Sequence, residues 1–139
     1  MMTLNPYLIF DGNCEEAFRR YEQVLGGHLA MLLPFGDSPG CEDMPDAWRS
    51  KIMHARLDFG GQQLMASDRH PGFPYDGIKG SHIALTFDDV ATAERVFHAL
   101  AEGGTTQMPF GEAFWVERFG MLVDRFGAAW MINGGKPKL

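Results

Sequence analysis

An α+β fold of two βαβββ modules, joined as a cupped mixed sheet, is what this sequence predicts, and three observations predict it. The first is duplication. The segments "IFDGNCEEAFRRYEQVLGGHLAMLLPFG" (9–36) and "LTFDDVATAERVFHALAEGGTTQMPFG" (85–111) each open on Phe-Asp, close a helix-like stretch with Gly-Gly and end the following run with Pro-Phe-Gly. The offset is 77 residues at Phe-Asp and at Gly-Gly and 75 at Pro-Phe-Gly. Two copies at so long a period exclude a solenoid, which needs at least about three short repeats. The second observation is a pair of apolar stripes at helical spacing, and the third is a set of short β-like runs around them.

The first run, 4–10, alternates Leu8 and Phe10 with Asn5, Tyr7 and Ile9. Cys14, Ala17, Phe18, Tyr21, Val24 and Leu25 then recur at the spacing of one helix face. Asn13 and Glu16 stand in capping-box spacing at its start, and Gly26-Gly27 supplies a left-handed stop. Runs at 28–34, 51–59 and 62–67 complete module one, about 3–67, with Gly60-Gly61 as the hairpin turn. Module two, about 80–133, repeats the order: a run at 81–87, a helix stripe of Val90, Ala93, Phe97, Leu100 and Ala101, and runs at 105–110, 113–119 and 129–133. Asp88-Asp89 opens that helix, Gly103-Gly104 ends it, and Asp124-Arg125-Phe126-Gly127 turns between the last two runs.

Each helix covers one face of its sheet, so the alternate side chains line the other face and any pocket there. Leu8, Phe10, Ile83, Leu85 and Phe87 pack under the helices, as does Trp130. The inward set from module one is Asn5, Tyr7, His54, Arg56, Met65 and Ser67, with Asp58 and Gln63 at the same parity. Module two offers His82, Thr86, Trp115, Glu117, Met131 and Asn133. His82 is placed to act as a general acid or base at neutral pH, with Glu117 orienting a polar group beside it. His28, His70 and His98 fall on surface or loop positions and receive no role. Two loops, 36–50 and 67–81, are rich in Gly and Pro yet carry Met44, Trp48, Phe73 and Tyr75. Such loops cover a site or bury themselves in a subunit interface.

Composition removes several function classes. Eighteen acidic against 12 basic residues give a charge of −6, and no basic cluster exists for nucleic acid or an anionic membrane to meet. No run has the length of a membrane span and no leader pattern is present, so a cytoplasmic protein is expected. Cys14 and Cys41, the two cysteines, lack disulfide or metal-knuckle spacing and are expected as free thiols. No nucleophile elbow or phosphate-cradling loop occurs, nor does the Gly-rich turn after a first parallel strand that a methyltransferase would use.

The duplicated plan, with "NPYLIFDGNCEEAFRRYEQVLGG", "QQLMASD", "SHIALTFDD" and "EAFWVERFGMLVDRFGAAWMIN", resembles the PhnB-like branch of the glyoxalase/bleomycin-resistance/extradiol-dioxygenase (vicinal oxygen chelate) superfamily. The resemblance implies the glyoxalase/bleomycin-resistance fold, a homodimer and a small organic ligand inside the cup. Metal-dependent members hold their ion with His and Glu from four strands. Those positions fall here on Asn5, Met65, His82 and Met131, and two thioethers with an amide suit a divalent ion poorly. The expectation is a small-molecule-binding protein without metal or other cofactor. The alternatives are a metal-dependent lyase, isomerase or dioxygenase, using a rearranged site of His82, His54 and Glu117, and a drug-sequestering resistance protein.

Overall fold

The computed structural model describes residues 1–139, which divide into two compact units, Met1–Gly77 and Ile78–Leu139. Unit one contains β1 (Tyr7–Phe10), α1 (Cys14–Leu25), β2 (His28–Pro34), β3 (Ile52–Phe59) and β4 (Gln62–Asp68). Its sheet has the order β1-β4-β3-β2, with β1 parallel to β4 and the other pairs antiparallel. Unit two contains β5 (Ile83–Phe87), α2 (Val90–Ala101), β6 (Thr105–Gly111), β7 (Val116–Val123) and β8 (Ala129–Pro137). Its sheet repeats the plan as β5-β8-β7-β6. The α+β plan of two βαβββ modules is therefore the observed one. No helix is long and apolar enough to cross a membrane.

The period-2 and period-3.6 patterns meet in each core. In unit one Leu8, Phe10, Ala55, Leu57, Leu64 and Ala66 lie buried on the sheet face that meets α1, against Cys14, Ala17, Phe18, Tyr21 and Val24 of the helix. Phe10 and Phe18 meet edge to face at 6.3 Å. Burying each such ring stabilises by about 1.5–3 kcal/mol. Gly26 ends α1 in the left-handed region, φ 77°, its N–H donating to the Glu22 carbonyl.

The start of α1 differs from expectation. Asn13 makes no capping bond, and its Oδ1 lies buried without a partner. The orphan donors turn instead to Asp68 at the end of β4, whose Oδ1 accepts from Gly12 N at 2.8 Å and Cys14 N at 3.0 Å, while Oδ2 accepts from Ile52 N at 2.8 Å. A carboxylate 54 residues away in sequence replaces a local cap, because the parallel pairing of β1 with β4 delivers it there. In α2 the local cap holds, with Asp89 accepting from Thr92 N at 2.9 Å.

The last two strands also shift. The run expected at 113–119 occupies 116–123, and that expected at 129–133 continues to Pro137. Glycines that read as strand ends are places where α2 sits close to the sheet. A Cβ at Gly120 would come within 2.6 Å of the Phe97 ring, and one at Gly134 within 2.6 Å of Ala93 Cβ. The expected turn does close, with Gly127 N donating to the Asp124 carbonyl. Trp130 is fully buried, and its Nε1 donates to Asp124 Oδ2 at 2.9 Å, while Oδ1 accepts from Phe126 N and Ala128 N.

Candidate functional site

On the first sheet, the face away from α1 carries Tyr7 and Ile9 from β1, Met65 and Ser67 from β4, and His54, Arg56 and Asp58 from β3. Register aligns Tyr7 and Arg56 on either side of Met65, and Ile9 with Ser67. Tyr7 reaches across β4 to His54, with its hydroxyl 3.1 Å from Nδ1 and the two rings stacked at 5.7 Å. Arg56 pairs with Asp58 at 3.0 Å; at about one-third exposure such a pair contributes under about 1 kcal/mol. Asn5 is half-buried and precedes the strand, outside the ladder.

A cavity of about 390 Å³ opens at the end of this face, where Ile9 and Ser67 pair. Ile9, Met53 and Ser67 form its sheet side, Phe35 borders it from the turn after β2, and the segment 69–75 crosses it with His70, Phe73, Pro74 and Tyr75. That segment is pinned at both ends. Arg69 N donates to the Phe10 carbonyl at 2.7 Å, Trp48 Nε1 donates to the Arg69 carbonyl at 2.8 Å, and the guanidinium lies 5.0 Å over the Trp48 ring. The Arg69 guanidinium also bonds Asp11 and the Phe73 carbonyl. At the other end the Tyr75 hydroxyl donates to the Ile9 carbonyl at 2.8 Å. Burial first, then the charges of Asp11 and Asp68, push the Tyr75 phenol above its ordinary value.

Sequence reasoning placed Ser67 here but gave His70 no role. The structure sets His70 on the cavity wall, 6.3 Å from the Phe35 ring and 5.3 Å from that of Phe73. Its Nδ1 accepts from Gly72 N at 3.1 Å; a backbone N–H can only donate, so Nε2 carries the proton of the neutral ring. The available signal was the apolar content of the loop, with Phe73 and Tyr75 among its glycines and prolines.

In unit two the corresponding face carries Ala84 and Thr86 of β5 beside Met131 and Asn133 of β8, and Met121 beside Met131. Asn133 Nδ2 donates to the Leu85 carbonyl at 3.4 Å. Trp115 lies edge-on to Phe119, the register partner of Asn133, at 4.9 Å. It therefore shares that face. Glu117 lies opposite a bulge in β8, where two steps from Val116 to Arg118 face three from Pro137 to Gly134. Its Oε1 accepts from Lys136 N at 2.8 Å. His82 Nε2 bonds Gln107 Oε1 at 3.0 Å, a bond joining the two edges of the sheet. His82 and Glu117 are thus each engaged elsewhere rather than with one another.

The positions matched to the superfamily's metal ligands supply an amide and a thioether in unit one, Asn5 and Met65, and an imidazole and a thioether in unit two, His82 and Met131. Within neither unit do three His, Cys, Asp or Glu side chains converge. This donor set does not fit a divalent ion that prefers imidazole, carboxylate and water.

The profile of the Glyoxalase/Bleomycin resistance protein/Dioxygenase superfamily matches residues 3–132, and the chain belongs to that superfamily. It is 34% identical over 140 residues to Protein YjdN of Escherichia coli (strain K12), covering 95% of each chain. The crystal structure of protein PA1353 from Pseudomonas aeruginosa is 58% identical, with a TM-score of 0.90 over 97% of this chain and 98% of that one. The PhnB protein from Bacillus cereus, 23% identical with a TM-score of 0.79 over 96% of this chain and 100% of its own, shares the fold.

Proposed function

We propose that this chain is a PhnB-like protein that binds a small organic molecule without the superfamily's metal centre, acting as a cytoplasmic homodimer. The observation that carries the reading is the cavity of about 390 Å³ under residues 69–75. It lies within the size range of small-molecule sites, about 300–1,000 Å³, and has their mixture of apolar walls and few polar groups. The thioethers at Met65 and Met131 support the metal-free part. Two unpaired cysteines, Cys14 and Cys41, suit a reducing compartment.

The test is a thermal-shift screen of a small-molecule library, repeated on Phe73→Ala and on Trp115→Ala. A ligand at about 100 times its dissociation constant adds about 2.7 kcal/mol of stability. Hits weakened by Phe73→Ala support this cavity. Hits weakened only by Trp115→Ala move the site to unit two. Metal content after purification without chelator is expected near background, and one tightly held equivalent lost in His82→Ala would restore the metal-dependent alternative.

Turnover is a second reading, favoured by the Tyr7–His54 contact on the same sheet face. A phenol hydrogen-bonded to an imidazole nitrogen can pass a proton to or from a bound molecule. A ligand recovered chemically unchanged would leave binding alone, the drug-sequestering form of the same proposal.

A further inference from the structure

We propose that the cavity under residues 69–75 takes a planar aromatic molecule that carries no negative charge and bears a hydrogen-bond acceptor, held by Ser67 and by the Phe35, His70 and Phe73 rings. This rests on the small-molecule-binding reading above and assigns its ligand class. Shape gives the planarity. Three rings from two separate segments gather at one mouth, with ring centres 5.3 and 6.3 Å apart, and Ile9 and Met53 supply an apolar floor. A volume of about 390 Å³ admits a one- or two-ring molecule with room for a substituent.

Hydrogen-bond accounting gives the acceptor. The Asp68 carboxylate, though it borders the cavity, is consumed by three backbone N–H groups. The Tyr75 hydroxyl is committed to the Ile9 carbonyl. Arg69 is held by Asp11, by the Phe73 carbonyl and by the Trp48 face. Two donors remain: the Ser67 hydroxyl, 9% exposed and on the floor, and the His70 Nε2–H, whose ring has its other nitrogen occupied. Both can donate, so the complementary ligand atom is an acceptor.

Charge excludes an anion. The carboxylates of Asp11 and Asp68 stand at this end of the sheet, and after burial both raise the Tyr75 phenol above its ordinary value. The one cation at the cavity, Arg69, already has its carboxylate. An anion would enter against those carboxylates with no free cation to pair with, and two neutral donors do not offset the desolvation of a charge.

The experiment titrates three probes of similar size into the intact protein at neutral pH: coumarin, which is neutral with a ring carbonyl; coumarin-3-carboxylate, its anion; and naphthalene, which has no acceptor. Binding is read by ligand-observed NMR, with circular dichroism and melting temperature confirming the fold of each variant. Coumarin is expected to bind about tenfold or more tightly than the other two. Ser67→Ala should weaken coumarin about fivefold, the effect of one neutral hydrogen bond, and leave naphthalene unchanged. Phe73→Ala, at a side chain 67% exposed and so harmless to folding, should weaken both. Coumarin-3-carboxylate binding as tightly as coumarin, no binding of coumarin, or indifference to Ser67→Ala would each overturn the ligand class. The broader reading fails separately, if no library molecule stabilises the protein.

Discussion

Asp68 ties three segments of unit one together at a single side chain. The loop before α1, the first residues of α1 and the start of β3 all donate backbone N–H groups to it, and it is 2% exposed. Asp68→Ala strands three buried donors, and since bonds to a charged group contribute about 1.5–3 kcal/mol each and overlap, a loss on the order of 4 kcal/mol is expected. Urea unfolding monitored by fluorescence measures it, and a loss below about 1 kcal/mol would show that water replaces the carboxylate. The cysteines give a second residue-scale expectation. Burial, then Asp68 and Glu15, push the Cys14 thiol far above its ordinary value, so it is neither a thiolate nor accessible, whereas Cys41 is half-exposed. A thiol reagent at about pH 8 should label Cys41 quickly and Cys14 only after denaturant is added.

At the scale of elements, the seat of α2 on its sheet depends on glycines under the helix. Gly134→Ala would push a methyl against Ala93 Cβ, with Val90 Cα 3.4 Å away, and overpacking of this kind costs about 1–3 kcal/mol. Gly61, where an added Cβ meets nothing within 4 Å, is the control and should change stability by under about 0.5 kcal/mol. Equal effects at the two sites in denaturant melts would refute the close-approach explanation. The segment 69–75 has a pH signature through Tyr75. Its folded-state phenol titrates above the ordinary value of 10.0. Stability from the neutral phenol is therefore fully present below that value and is lost as pH rises through it toward the higher folded value. Melting temperatures from about pH 8 to 11.5 should fall less steeply in Tyr75→Phe than in the parent chain.

For the molecule as a whole, each sheet presents its helix-free face with apolar side chains among polar ones; Tyr7, Ile9 and Met31 are all at least 40% exposed. Apolar surface of this kind marks binding or assembly, which is the support for a homodimer. A specific dimer should bury at least about 1,000 Å². Light scattering at micromolar concentration is expected to give twice the 15.5 kDa chain mass. A monomeric mass would remove the oligomer from the proposed function while leaving the cavity in unit one intact.

The sequence by itself determined the two-module plan, the helices, the eight strands and the sides of the sheets on which Leu8, Phe10, Tyr7, His54 and Trp130 lie. Those features follow from periodicity, and periodicity is a local property of the chain. Only the tertiary structure decided what depends on contact between distant segments. Asp68 displaced Asn13 as the cap of α1 because parallel pairing of β1 and β4 brought it there. Gly120 and Gly134 stayed inside strands because α2 needed their missing side chains. The cavity wall at His70 formed because hydrogen bonds from Arg69 and Tyr75 fold a loop back over the sheet, and a loop has no period from which its path could be read.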